Sequence, residues 1–220
     1  MQAYAHRLPD MLTGVTDALD REFERLLLES WTLAFRGCSP SSSDNVCAGT
    51  HNTLAAMDAI AAAFLDKSRT LIIADYVPTI GRCLDRLSDA DIWWRPNEAS
   101  NSIGNLILHL CGNVTMWIVG GVGSLPFERH RQREFDERTK IAGEELRTRL
   151  RLVVQQADDV MSAVTSNDLL SRRQIQGYDV TVLEAIYHVV EHFSMHTGQI
   201  IMLSKARVEG NLTLWEPPKA

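Results

Sequence analysis

The sequence predicts an all-α fold: a four-helix bundle with one long crossover between its second and third helices, preceded by an N-terminal helical extension. Three observations predict it. Four long segments after Thr53 repeat apolar residues at intervals of three and four, the period of a helix with one buried face. Few runs alternate β-branched residues as strands do. One link, from Gly120 to Thr139, is about 20 residues long, enough to cross the end of a bundle, whereas short links elsewhere favour antiparallel neighbours.

Residues 8–35 read as a helix, and 36–52, a run of small and polar residues with a Pro and two Gly, reads as a linker. The expected organisation is therefore an extension and linker over 1–52, a bundle over 53–208 and a tail over 209–220. The first bundle helix, about 54–87, carries Leu71, Ile72, Val77, Ile80, Leu84 and Leu87, with Pro78 expected to kink or divide it because proline removes a backbone donor and crowds the preceding turn. The second, about 102–119, places Ile103, Ile107, Leu110, Val114 and Trp117 on one stripe and is expected to stop at Gly120-Gly121. The third, about 141–165, uses Leu146, Leu150, Val153, Ala157, Val160 and Val164. The fourth, about 182–207, opens on Thr181 and Glu184, a capping-box pair, and ends before Gly210-Asn211.

With 45% hydrophobic and 23% charged residues, the 220-residue chain has the composition of a folded globular protein. Its net charge of -6 leaves no general basic surface, which disfavours electrostatic binding to nucleic acid. Asp10, Asp17 and Asp20 interrupt the apolar positions near the N-terminus, so no secretory signal is expected there, and no stretch reads as a membrane span. Four cysteines at 38, 47, 83 and 111 form no CxxC pair, so reduced thiols and a cytoplasmic location are the expectation.

The chemistry concentrates in two helices. The fourth carries His188, His192 and His196, and residues four apart share a face with Cβ atoms about 5–6 Å apart, close enough for two imidazoles to reach one ion. The outer two are about 12 Å apart along the axis, so only one adjacent pair chelates; His192 belongs to either pair, and spacing leaves the choice open. The competing reading is a row of half-buried histidines beside the stripe of Val189, Val190, Phe193, Ile200 and Ile201. On the second helix His109 stands in a row with Asn105 and Asn113. Such a row needs partners if it faces inward: either a metal on His109, with the asparagines bonding its second nitrogen or a bound water, or a network of amides and imidazoles. Cys111 points about 200° away from His109 and is a poor candidate for the same site.

SIGNLILHLCGN, followed some eighty residues later by VVEHFSMHTGQI, resembles the DinB-like superfamily of damage-inducible, YfiT-like metal-binding bundles, from about Phe64 to Arg207. That resemblance implies a four-helix bundle whose metal ligands are His109, His192 and His196. Three neutral imidazoles with an open position suit a divalent transition metal, zinc or nickel. The resemblance further implies a transferase that uses a low-molecular-weight thiol, or a hydrolase, acting on a small-molecule substrate, and often a homodimer. The alternative is a non-catalytic metal-binding stress-response or scaffold protein. Around the ligands, Asn105, Asn113, His188, Gln199, Arg129 and Arg131 are the candidates to line the site or bond its ligands. Relatives often carry Arg-Asp-Arg in the crossover where this chain has Arg129-His130-Arg131 ahead of Glu134-Phe135, and a solvated charged connection is the favoured reading of that run. The first 50 residues have no counterpart in the resemblance.

Overall fold

The computed structural model describes residues 46–139, 141–210, 212 and 214, with side chains from Ala55 onward. The chain divides into two compact units, Met1–Thr50 and His51–Ala220, and the bundle is built by the second. The helix expected over 8–35, and the tail apart from Glu209, Gly210, Leu212 and Leu214, lie outside the described residues.

The first bundle helix starts at Val46, inside the segment that reads as linker. No proline interrupts residues 46–77 and the run after Thr53 is rich in alanine, so helix propensity carries the backbone upstream of the apolar pattern. It comprises α1 (Val46–Thr70), a π-helical stretch (Leu71–Tyr76) and α2 (Val77–Leu84). The widened turn lies immediately ahead of Pro78, where the Val77 amide donates five residues back to the Ile72 carbonyl. The ladder is thus re-registered around the proline, and the helix continues instead of dividing. A one-turn α3 (Asp89–Ile92) follows, capped by Ser88 and Asp91.

The second bundle helix is α4 (Ile103–Val114), which continues as a π-helical stretch over Thr115–Val122. It runs through Gly120-Gly121, where a stop was expected. Those glycines are packing sites: a Cβ on Gly120 would strike the Phe127 ring and one on Gly121 the Ile175 side chain. The crossover is correspondingly shorter and contains a short helix, α5 (Arg131–Asp136). The third helix, α6 (Gly143–Ser162), buries Leu146, Leu150, Val154, Ala157 and Met161, while the expected Val153, Val160 and Val164 pack at its edge. Asp89 receives the Gly143 amide at 2.9 Å, and the Trp93 indole donates to the Ile141 carbonyl at 2.9 Å, which pins the start of α6 to the α3 turn.

An antiparallel hairpin, β1 (Arg172–Ile175) and β2 (Tyr178–Thr181), precedes the fourth helix and was not expected. Its two-residue loop, Gln176-Gly177, has positive φ at both positions (56° and 87°), the geometry that joins twisted strands tightly. The last helix, α7 (Val182–Lys205), opens on the predicted capping box: Thr181 Oγ1 accepts from the Glu184 amide at 3.1 Å, and the Glu184 carboxylate accepts from the Thr181 amide at 2.6 Å. The core runs between α4, α6 and α7, with Leu110, Ile118, Leu146, Ile186 and Phe193 fully enclosed.

The segment Ile103–Val122 is long and apolar enough by composition to cross a membrane (mean hydropathy 1.4), contrary to the sequence reading. Two-thirds of it (67%) is buried against the other helices, and it carries Asn105, His109 and Asn113 on its buried side. Its apolarity is that of a core helix enclosed by its neighbours.

Candidate metal centre

Ser102 begins α4 with a reciprocal pair: its hydroxyl accepts from the Asn105 amide at 3.1 Å while Asn105 Oδ1 accepts from the Ser102 amide at 3.2 Å. Helical spacing from this start puts Asn105, His109 and Asn113 in one row. All three are buried. On α7, the Thr181 cap sets the phase that turns His192 and His196 toward the same point.

One ring nitrogen from each of His109, His192 and His196 lies within 4.8 Å of the other two. His192 Nε2 approaches His109 Nε2 at 3.0 Å. His196 Nδ1 is bonded to Gln199 Oε1 at 2.7 Å, so its proton points outward, and its buried Nε2 has no partner. Two facing imidazole nitrogens share at most one proton, and a buried acceptor left alone costs free energy. A cation is the partner that satisfies all three, so these residues fit a divalent metal.

The three α7 histidines differ in their partners. His188 turns its Nε2 to the Asn113 amide at 3.2 Å and packs on the Trp117 ring, 4.1 Å between centroids. It borders His192 (5.4 Å) and stands outside the cluster. An amide–imidazole pair thus stands at 113 and 188, and a cluster of three histidines that could hold an ion stands one turn further on.

Spacing did not reveal Glu134. Its Oε2 lies 2.8 Å from His109 Nδ1, and Arg129 grips both carboxylate oxygens, Nε to Oε1 at 2.7 Å and Nη2 to Oε2 at 2.9 Å. The Arg129 and Glu134 side chains are only 4% and 10% exposed, so the run that reads as a solvated connection is in part a buried ion pair packed on α4. Gly112 makes the room: a Cβ there would collide with the Glu134 carboxylate and come within 2.8 Å of Arg129 Nε. A glycine three residues after His109, paired with acids in a basic crossover, is the sequence signal that was available.

Of the remaining candidates, Asn105 does not reach His109. Its amide instead donates to the carbonyls of Glu134 (2.9 Å), Phe135 (3.3 Å) and Glu137 (3.2 Å), fastening the crossover to α4. Arg131 is exposed and lies over the Phe135 ring at 4.9 Å, and Phe135 itself packs on His109, 4.7 Å between centroids.

Electrostatics match a set of neutral donors. Burial, then the neighbouring His196, His109 and His188 and the Arg129 charge, push the His192 imidazole down to about 3. Burial also lowers His196, against the opposing bond to Gln199, and lowers His188. For Glu134 burial pulls upward, but the bonds from His109 and Arg129 outweigh it and hold the carboxyl below its ordinary range. Burial pushes the Cys111 thiol up to about 12, which keeps it protonated and unsuited to the site, as its position on the helix suggested.

Comparison with known proteins places the fold. No curated protein matches the chain. A solved structure of a DinB-like protein from Bacillus cereus is similar in fold, with 17% identity, a TM-score of 0.50, and coverage of 60% of this chain and 86% of that one. Residues 59–219, more than two-thirds of the chain, match the family described as protein of unknown function (DUF1572), so the chain belongs to that family, and its mostly helical fold is DinB-like.

Proposed function

We propose that this protein is a metal-dependent enzyme acting on small molecules, a transferase of the thiol S-transferase type or a hydrolase, with His109, His192 and His196 holding one divalent transition ion, zinc or nickel. The observation that carries the reading is the buried, unpartnered Nε2 of His196 converging with the Nε2 atoms of His109 and His192. Three protein donors are the number found at open, catalytic sites, whereas closed structural sites take four. When bound, such an ion lowers the pKa of a thiol or water and so makes a nucleophile near neutral pH. The protein's own share is to orient the imidazoles, through the Gln199 bond to His196 and the Glu134 bond to His109, while burial disfavours the charged forms of His192 and His196.

The test incubates metal-loaded protein with a panel of low-molecular-weight thiols and an electrophile such as monochlorobimane, and with hydrolysable esters and amides. Metal-dependent turnover that disappears in His192→Ala is expected. Its absence across the whole panel would sink the enzymatic reading.

A second reading, a non-catalytic metal-binding stress-response or scaffold module, has one observation in its favour. His109 and His196 are buried, and neither of two surface grooves, one beside Val77–Asp85 and Arg147–Asp158 and one around Leu125, is lined by a ligand histidine. A large loss of thermal stability on chelation with no activity would support it.

A further inference from the structure

We infer that Glu134, clamped by Arg129, is a positioning residue for the metal centre: it accepts the hydrogen bond of His109 Nδ1–H and so leaves Nε2 as the bare donor that faces His192. The inference rests on the metal-binding reading above and adds to it the residue that fixes the state of one ligand. With Arg129 donating to both oxygens, at 2.7 and 2.9 Å, the Glu134 side chain is a carboxylate with only lone pairs to offer. The proton in its 2.8 Å contact with His109 therefore sits on Nδ1. A neutral imidazole has one N–H, so Nε2 carries none.

The lock is built to hold. Asn105 bonds the backbone carbonyls of residues 134, 135 and 137, and Gly112 leaves the carboxylate space against α4. The Glu134 carboxylate of the pair bears directly on His109, while the Arg129 charge also reaches His192. What it contributes is orientation and tautomer, and loss of partners of this kind costs roughly 10–100-fold in metal affinity.

The experiment titrates wild-type protein, Glu134→Ala, Glu134→Gln and His130→Ala with zinc and nickel against a chromophoric chelator, with circular dichroism on the same samples. Long-range proton–nitrogen NMR of isotope-labelled histidine in the metal-free proteins reads the tautomer. Affinity is expected to fall roughly 10–100-fold in Glu134→Ala and less in Glu134→Gln, whose amide oxygen still accepts. His130→Ala, an exposed change on the same crossover, is expected to bind like wild type. His109 is expected to carry its proton on Nδ1 in the wild type and to become a tautomer mixture in Glu134→Ala. If Glu134→Ala loses its helical signal, the isosteric Glu134→Gln carries the comparison. Unchanged affinity in the folded Glu134 variants, an equal loss in His130→Ala, or a wild-type proton on Nε2 overturns the inference. Failure of the wild type to take up either metal overturns the metal reading instead, and the NMR tautomer still decides the role of Glu134.

Discussion

His192 and Gly112 show how much a single position controls. His192 is central to the cluster, so His192→Ala is expected to leave little metal where the wild type retains about one ion per chain, measured by mass spectrometry, because affinity tracks ligand count. Gly112→Ala makes a sharper test. In an open helix that change stabilises by roughly 0.5–1 kcal/mol. Here the added methyl drives Glu134 and Arg129 off α4, so lower stability and weaker metal binding are expected, and a more stable variant with wild-type affinity would refute the packing argument. Acid sensitivity follows from His192 as well. Its folded pKa of about 3 lies below the unfolded value of about 6.5, so the unfolded chain binds more protons between these limits. Stability of the metal-free protein is therefore full above about 6.5 and falls as pH drops toward 3, with the depressed Glu134 carboxyl adding to the loss below its ordinary 4.5. Urea midpoints at pH 7 and 5 are expected to differ less in His192→Gln than in the wild type. The histidines were legible because their spacing is local to one helix face. Glu134 was not, since 25 residues separate it from His109 and only the crossover's path joins them.

Elements whose ends are set by local chemistry were also legible. Thr181 and Glu184 form the expected box, and Thr181→Ala is expected to cost about 1 kcal/mol by chemical denaturation. A neutral result would mean that packing alone sets the start of α7. The reading of Gly120-Gly121 as a stop failed because glycine marks two different needs, a helix end and a close contact, and only tertiary neighbours such as Phe127 and Ile175 distinguish them. The π-helical stretches escaped for a similar reason. Their residues have ordinary helical periodicity, and the extra residue in each hydrogen-bonded loop shows only in the hydrogen-bond ladder. The hairpin was hidden by its length, four residues a strand, with a charged β1 that lacks apolar alternation.

At the scale of the whole bundle, the metal reading makes α4 and α7 a cross-linked pair, since His109 comes from one and His192 and His196 from the other. A ligand that binds only the folded chain stabilises it by roughly 2.7 kcal/mol at a hundred times its Kd. For a protein of this size each kcal/mol is worth about 2–4 °C. Loading with zinc or nickel is thus expected to raise Tm by several degrees over a chelated sample, and an unchanged Tm would argue against a site spanning both helices. The four-helix plan was legible because each helix repeats its apolar stripe over several turns, so tertiary burial and local periodicity agree.

The ring stack beside the cluster supplies a way to watch it. Trp117 lies 4.1 Å from His188, which in turn lies 5.4 Å from His192. An indole so near the cluster is a natural fluorophore for occupancy. Nickel, a quencher of excited indole, is expected to dim the wild-type emission on titration and to do so far less in Trp117→Phe, which turns an unlabelled sample into its own binding assay.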